Sequence, residues 1–132
     1  MKYYIFGGDG FVGRYLSNAL IERGENVVVG DILSTLDERI NKKAKFINVD
    51  IRDKSAIRKI DIMPDDLVIN LAANQYHTKV PKNRKEYFYS TNYVGTKNIL
   101  EVMEEKNCMR YLMFTTDMTL SLIHISEPTR RV

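Results

Sequence analysis

Ile5-Phe6-Gly7-Gly8-Asp9-Gly10-Phe11-Val12-Gly13-Arg14 joins a short apolar run to an amphipathic helical pattern. It reads as a strand end, a glycine turn and a helix start. Gly7, Gly10 and Gly13 follow the spacing G-x-x-G-x-x-G. In a dinucleotide site the first such glycine permits a tight turn, the second lets the backbone approach a pyrophosphate, and the third lets the helix pack closely on the strand. The unpaired N–H groups of the helix start and its positive dipole end favour an anion by roughly 0.3–1 kcal/mol beyond the hydrogen bonds themselves. Taken alone, the spacing fits an ordinary glycine-rich turn equally well, so its meaning depends on what flanks it.

Outward from that turn the chain alternates strand and helix. Residues 3–6 form a short apolar strand that feeds the glycines. Over residues 11–22, Val12, Leu16, Ala19 and Leu20 fall on one helical face, and Gly24 supplies the stop. Val27-Val28-Val29 is a β-branched run ending at Gly30-Asp31, as in a buried parallel strand. Residues 32–44 are polar and broken, with room for one helical turn. Residues 45–49 read as a third strand, 55–60 as a short helix, 67–73 as a fourth and most apolar strand, and 74–83 as a polar loop. A long helix follows over about 85–106, with Asn92, Gly95, Thr96, Ile99 and Met103 on one face, and residues 111–114 make a fifth strand. Five strands separated by crossovers predict an α/β fold, a doubly wound, right-handed parallel sheet of Rossmann type that binds its ligand at the carboxyl ends of the strands.

Composition agrees with one globular domain. The chain has 132 residues, 44% hydrophobic and 28% charged, which is enough apolar material for a core and too much for a disordered segment. A net charge of +3 is too small to argue for nucleic acid, and Lys42, Lys43 and Lys45 read as a solvated loop face. The single cysteine, Cys108, can form no intrachain disulfide, which fits a reduced, cytoplasmic setting. Met1-Lys2 is followed by only four apolar residues, 3–6, before the glycines, and no apolar run approaches the length of a membrane span, so no signal peptide or membrane association is expected; no cluster of metal ligands stands out.

The strand order gives the glycine turn its context, because the turn occupies the first strand-to-helix connection. Asp31 then falls at the end of the second strand. A carboxylate there accepts hydrogen bonds from the adenosine ribose hydroxyls and repels a 2′-phosphate, which favours NAD over NADP. No basic residue directly follows Asp31, although Arg14 can approach from the turn.

These motifs, in this order, resemble the extended short-chain dehydrogenase/reductases, the NAD-dependent epimerase/dehydratase group that acts largely on nucleotide sugars. Gly7 to Gly13 is similar to the family's G-G-x-G-F-I-G loop, with Phe6 where Thr is common. Asp50-Ile51-Arg52-Asp53 resembles its D-x-R-D segment, whose first Asp and following backbone contact adenine. Leu71-Ala72-Ala73 matches the L-A-A that lines the cofactor. Residues 91–101 are close to T-N-V-x-G-T-x-N-L-L-E, with a bulkier Tyr93. The resemblance implies cofactor contacts from Gly7, Gly10, Phe11, Val12, Gly13, Asp31, Asp50, Ile51, Leu71, Ala72, Ala73 and Asn92.

It also implies the chemistry. A Ser or Thr at the end of the fifth strand orients the reacting oxygen, and a Tyr-x-x-x-Lys further on exchanges the proton. Phe114-Thr115-Thr116-Asp117-Met118 is similar to the S-T-D-x-V-Y-G strand end of the sugar 4,6-dehydratases. Thr116 takes the hydroxyl role there and Asp117 the acid role, although Met118 replaces the Glu those dehydratases carry. Tyr93 and Lys97 have the catalytic spacing but precede Thr116, inside the helix motif, and read as a decoy. His77, in a polar loop, reads as solvated or as a substrate-side contact. The expected full-length protein is thus an NAD-dependent enzyme with a nucleotide-sugar-like substrate, compatible with a homodimer, of which this chain is an inactive amino-terminal fragment. A non-catalytic NAD(P)-sensing or atypical short-chain dehydrogenase domain is the alternative, and an interaction module built on Tyr87, Tyr89 and Tyr93 is a third. The resemblance covers residues 2–119. Residues 120–132 are similar to an in-frame translation of a transposon-end sequencing adaptor and are expected to form a non-native tail outside the 1–119 domain.

Overall fold

The computed structural model describes residues 1–33, 36–72 and 89–113, with the side chains of 89–91 excepted. Its elements are β1 (Lys2–Phe6), α1 (Phe11–Glu22), β2 (Asn26–Asp31), β3 (Lys45–Asn48), α2 (Lys54–Arg58), β4 (Leu67–Asn70), a π-helical segment (Tyr89–Gly95) that runs into α3 (Thr96–Glu105), and β5 (Arg110–Met113). All pairings are parallel, and the sheet order is β3-β2-β1-β4-β5. The order reverses at β1, with β2 and β3 laid to one side and β4 and β5 to the other, and a doubly wound sheet opens its ligand crevice at such a reversal.

The central strands are buried on both faces, which explains their near-continuous apolar composition. Tyr4, Phe6, Val28 and Val68 point to one face, where they meet Ile57 of α2 and Ile99, Val102 and Met103 of α3. Ile5, Val27, Val29 and Ile69 point to the other, where they meet Leu20 and Ile21 of α1 together with Ile40 and Ala44. Full burial of a large aliphatic side chain stabilises by about 1.5–3 kcal/mol, so these two layers dominate the folding energetics. Lys42, Lys43 and Lys45 are exposed, as a solvated face requires.

Several boundaries differ from the sequence expectation. The face that α1 buries is Gly13, Ser17, Leu20 and Ile21, while Val12 and Ala19 are exposed. Small residues at positions 13 and 17 let the helix approach the sheet, and counting apolar residues rotates the predicted face away from them. Strand β4 ends at Asn70 instead of residue 73, because Asn70 Oδ1 accepts the Ala72 amide at 3.0 Å and turns the chain. Within the expected long helix, residues 89–95 are π-helical: the Thr96 hydroxyl donates to the Asn92 carbonyl at 2.8 Å, competing with the amide an α-helix would place there. Gly24 does stop α1. It has φ +82°, its amide meets the Ile21 carbonyl at 2.9 Å, and the Glu25 amide meets that of Leu20 at 3.0 Å. Residues 74–83, 85–88 and 114–132, including His77 and Tyr87, lie outside the described residues.

Candidate functional site: a phosphate cradle at the carboxyl ends of the strands

The parallel register aligns Phe6 with Gly30 on one side and Asn70 on the other, so the loops after β1, β2 and β4 leave the sheet together. Pairing continues one step beyond the strands. The Gly7 amide donates to the Gly30 carbonyl at 2.7 Å and the Leu71 amide to the Phe6 carbonyl at 2.8 Å.

The glycines divide their roles by geometry. Gly7 has φ +77°, and a Cβ there would meet the Ala72 backbone N at 2.6 Å. A Cβ on Gly13 would collide with the backbone of Gly8, so this glycine brings α1 onto the turn. Gly8, which the spacing argument passed over, is constrained too: its Cβ would lie 2.8 Å from Val29 Cγ1. Gly10 is the exception. It is exposed, and a Cβ there meets nothing nearer than the Gly7 carbonyl oxygen at 3.6 Å. Gly10 is also the N-cap of α1 and offers no side chain to the first-turn amides. Intrahelical bonding begins with the Arg14 amide on the Gly10 carbonyl at 2.9 Å, which leaves the amides of Phe11, Val12 and Gly13 without helical acceptors. Phe11 and Val12 expose their side chains beside this opening. The fold therefore needs no glycine at position 10, whereas an anion approaching those amides does, and the residues present fit a bound pyrophosphate.

Asp31 closes the other end. Its Oδ2 accepts the Asp9 amide at 3.1 Å and its Oδ1 the Ile32 amide at 2.7 Å. Each carboxylate oxygen retains a further lone pair that can take a ribose hydroxyl. Asp9 is buried and accepts the Asp37 amide at 2.8 Å; burial pushes its carboxyl above the usual range, against the pull of that hydrogen bond. The Arg39 guanidinium holds the Asp37 carboxyl well below the usual range. Asp9 and Asp37 are site residues that sequence reasoning missed. Neither belongs to a periodic pattern, and the contacts that bring them to the site, Asp9 with the Asp37 amide and Asp37 with Arg14, join separate parts of the chain.

On the far side of β2, Asp50 binds Arg52 through its side chain, with Arg52 Nη2 2.6 Å from Asp50 Oδ2, and Arg52 holds the Asp50 carboxyl below its ordinary value. Ile51 is buried, and Gly95 leaves the space its side chain fills, since a Cβ on Gly95 would collide with it. Asn98 donates to the Ile51 and Arg52 carbonyls at 3.0 and 3.1 Å, tying this segment to α3. Below the β4 end, Asn70 Nδ2 donates to Tyr111 Oη at 3.0 Å and Thr96 Oγ1 at 3.2 Å, and burial raises the Tyr111 phenol. This links β4, β5 and the helix that carries Asn92. Leu71 and Ala72 are half-buried at the same end of the sheet. Tyr93 is 56% exposed and Lys97 is exposed, whereas Thr96 between them turns inward to Asn70. Ala73, Thr116 and Asp117 lie outside the described residues.

The sequence model of the NAD dependent epimerase/dehydratase family matches residues 3–124. Among curated proteins, the provisionally named UDP-glucose 4-epimerase of Methanocaldococcus jannaschii is 38% identical over 76% of this chain and 33% of its own length. The UDP-glucose 4-epimerase of Lactobacillus helveticus is 32% identical over 88% of this chain and 35% of its own. The crystal structure of the Thermotoga maritima UDP-glucose 4-epimerase with UDP-glucose superposes with a TM-score of 0.73 at 28% identity, covering 88% of this chain and 38% of that one. The chain thus spans about a third of the length of the curated relatives it matches. A match over most of the chain, on the fold and glycine cradle described above, places it in the NAD dependent epimerase/dehydratase family.

Proposed function

We propose that this chain forms the dinucleotide-binding half of an NAD-dependent enzyme that epimerises or dehydrates a nucleotide sugar. The observation that carries the reading is the pairing of an open Gly10 at the α1 start with Asp31 at the β2 end, joined by the Asp9 amide. In this reading the first-turn amides from Phe11 to Gly13 bind the pyrophosphate, and Gly7 and Gly13 hold the turn against the sheet. Asp31 accepts the ribose hydroxyls, Asp50 and the Ile51 backbone border the adenine, and Leu71, Ala72, Ala73 and Asn92 line the inner end. When bound, NAD supplies a hydride acceptor and donor. Thr116 orients the reacting oxygen, and Asp117 is the candidate acid.

The nucleotide-sugar substrate is supported by the UDP-glucose 4-epimerases among the relatives. One relative of another substrate class, the human sterol-4-alpha-carboxylate 3-dehydrogenase, is 29% identical. The outward placement of Tyr93 and Lys97 supports a surface role for that pair, so the chain by itself, with no Tyr after Tyr111, is proposed not to turn substrate over. Residues 120–132 are proposed as a tail that does not contribute to the domain.

Calorimetric titration of the chain with NAD and NADP tests the binding claim. NAD is expected to bind more tightly, and Asp31→Ala to narrow the difference by removing the carboxylate that repels the 2′-phosphate. Equal or tighter NADP binding to the unsubstituted chain would sink the assignment.

A further inference from the structure

Arg14 and Arg39 are both held by one carboxylate, that of Asp37. Asp37, in the connection between β2 and β3, has its Oδ2 2.8 Å from Arg39 Nη2 and 3.6 Å from Arg14 Nη1, while its Oδ1 accepts from Arg39 Nε at 3.0 Å. Arg14, in the first turn of α1, also donates to the Asp9 carbonyl at 3.2 Å. The amide of that same Asp9 donates to Asp31 Oδ2, so the Arg14 guanidinium lies one residue away from the carboxylate proposed to read the ribose. Asp37 cannot drift from this position easily, since its own amide is bound by the buried Asp9 carboxylate at 2.8 Å.

Resting on the NAD reading above, we infer that Asp37 is a specificity-determining positioning residue: by holding and neutralising Arg14 and Arg39 it withholds the cation that the 2′-phosphate of NADP would need beside Asp31. A guanidinium is the side chain best suited to that phosphate, because it donates two parallel charge-assisted hydrogen bonds. Arg14 carries most of the effect. Its side chain is 20% exposed and that of Asp37 16%, so their charges are poorly screened, whereas the Arg39 side chain is 67% exposed and screened by water. Discrimination against NADP then has two components: Asp31 repels the added phosphate, and Asp37 denies it a partner.

The test compares NAD and NADP binding by calorimetry at low salt for the unsubstituted chain, Asp37→Asn, Arg14→Gln and Asp37→Asn/Arg14→Gln. Asparagine keeps an Oδ1 acceptor for the Arg39 amide and removes the charge together with the Oδ2 acceptor that faces Arg39 Nη2 and Arg14 Nη1. Asp37→Asn is expected to raise NADP affinity relative to NAD about tenfold, the scale of one new charge-assisted contact. Adding Arg14→Gln should return the ratio to that of the unsubstituted chain, and Arg14→Gln alone, which removes an already neutralised cation, should leave it nearly unchanged. A structural role alone would weaken both cofactors equally. An unchanged NADP-to-NAD ratio in Asp37→Asn, or a shift that survives in the double variant, overturns the inference while NAD binding itself stands. If the unsubstituted chain binds neither cofactor, the NAD reading fails and this inference falls with it.

Discussion

At the scale of single residues, the site depends on glycines and aspartates that look alike in sequence and behave differently in the fold. Gly10→Ala should cost at most about 1 kcal/mol in urea unfolding, the usual difference between Gly and Ala at an N-cap. Gly13→Ala forces a Cβ into the Gly8 backbone and should cost about 3 kcal/mol, the upper range of overpacking. Equal losses at the two positions would contradict the division between a ligand-facing and a packing glycine. Asp9 and Asp37 should titrate in opposite directions. Asp37, lowered by Arg39, stabilises fully above the ordinary carboxyl value of 3.8, and that contribution is lost as the pH falls through its lowered folded value. Asp9, raised by burial, contributes fully below 3.8, and that contribution is lost as the pH rises through its raised value. Urea midpoints should therefore show Asp37→Asn less stable than the unsubstituted chain at about pH 6, with the deficit closing in acid, and Asp9→Asn relatively more stable at about pH 6. PH-independent differences would show that neither carboxyl is perturbed as described.

At the scale of elements, what joins the helices to the cofactor end of the sheet is mostly amide chemistry. Asn98 is the example. Replacing it with Ala removes both donors to the Ile51 and Arg52 carbonyls and should destabilise by about 1–3 kcal/mol, read as a lower thermal midpoint. A loss under about 0.5 kcal/mol, typical of surface changes, would mean that the segment is held by Ile51 packing alone. The exposed Arg58–Glu105 pair between α2 and α3 should matter less, since solvent screens its charges and holding two long side chains together costs entropy. The same contrast explains what the sequence made legible. Strand order, the α1 stop and the glycine turn could be read because backbone geometry restricts which residues serve there, and Asp31 because its place at the end of β2 follows from that order. The buried face of α1 could not, since Gly13 and Ser17 carry no hydrophobic signal. Asn70, Asn98 and Asp9 could not either, because each is buried through a partner tens of residues away, which no local spacing encodes. The π-helical stretch was invisible for a related reason: it follows from a side-chain competitor for one carbonyl, in a segment whose composition is ordinary for an α-helix.

At the scale of the whole molecule, the described residues form a five-stranded sheet bounded by β3 and β5, with Leu112 47% and Met109 82% exposed near the β5 edge. An edge of that kind invites pairing or cover. The family match continues through residue 124, and the chain spans about a third of the length of the curated relatives it matches. No described helix is long and apolar enough to cross a membrane. The central claim is that this chain carries its own dinucleotide cradle, organised by the Gly7–Gly13 turn and Asp31. Amide chemical-shift mapping by NMR, on the chain with and without residues 120–132, tests it residue by residue as NAD is added. The account predicts that the largest shifts fall on Gly10, Phe11, Val12, Gly13 and Asp31, that both forms shift alike, and that Gly10→Val abolishes the response while the spectrum stays folded. Shifts absent from the α1 start, or centred instead on the Asn18, Glu22 and Lys42 surface, would contradict it.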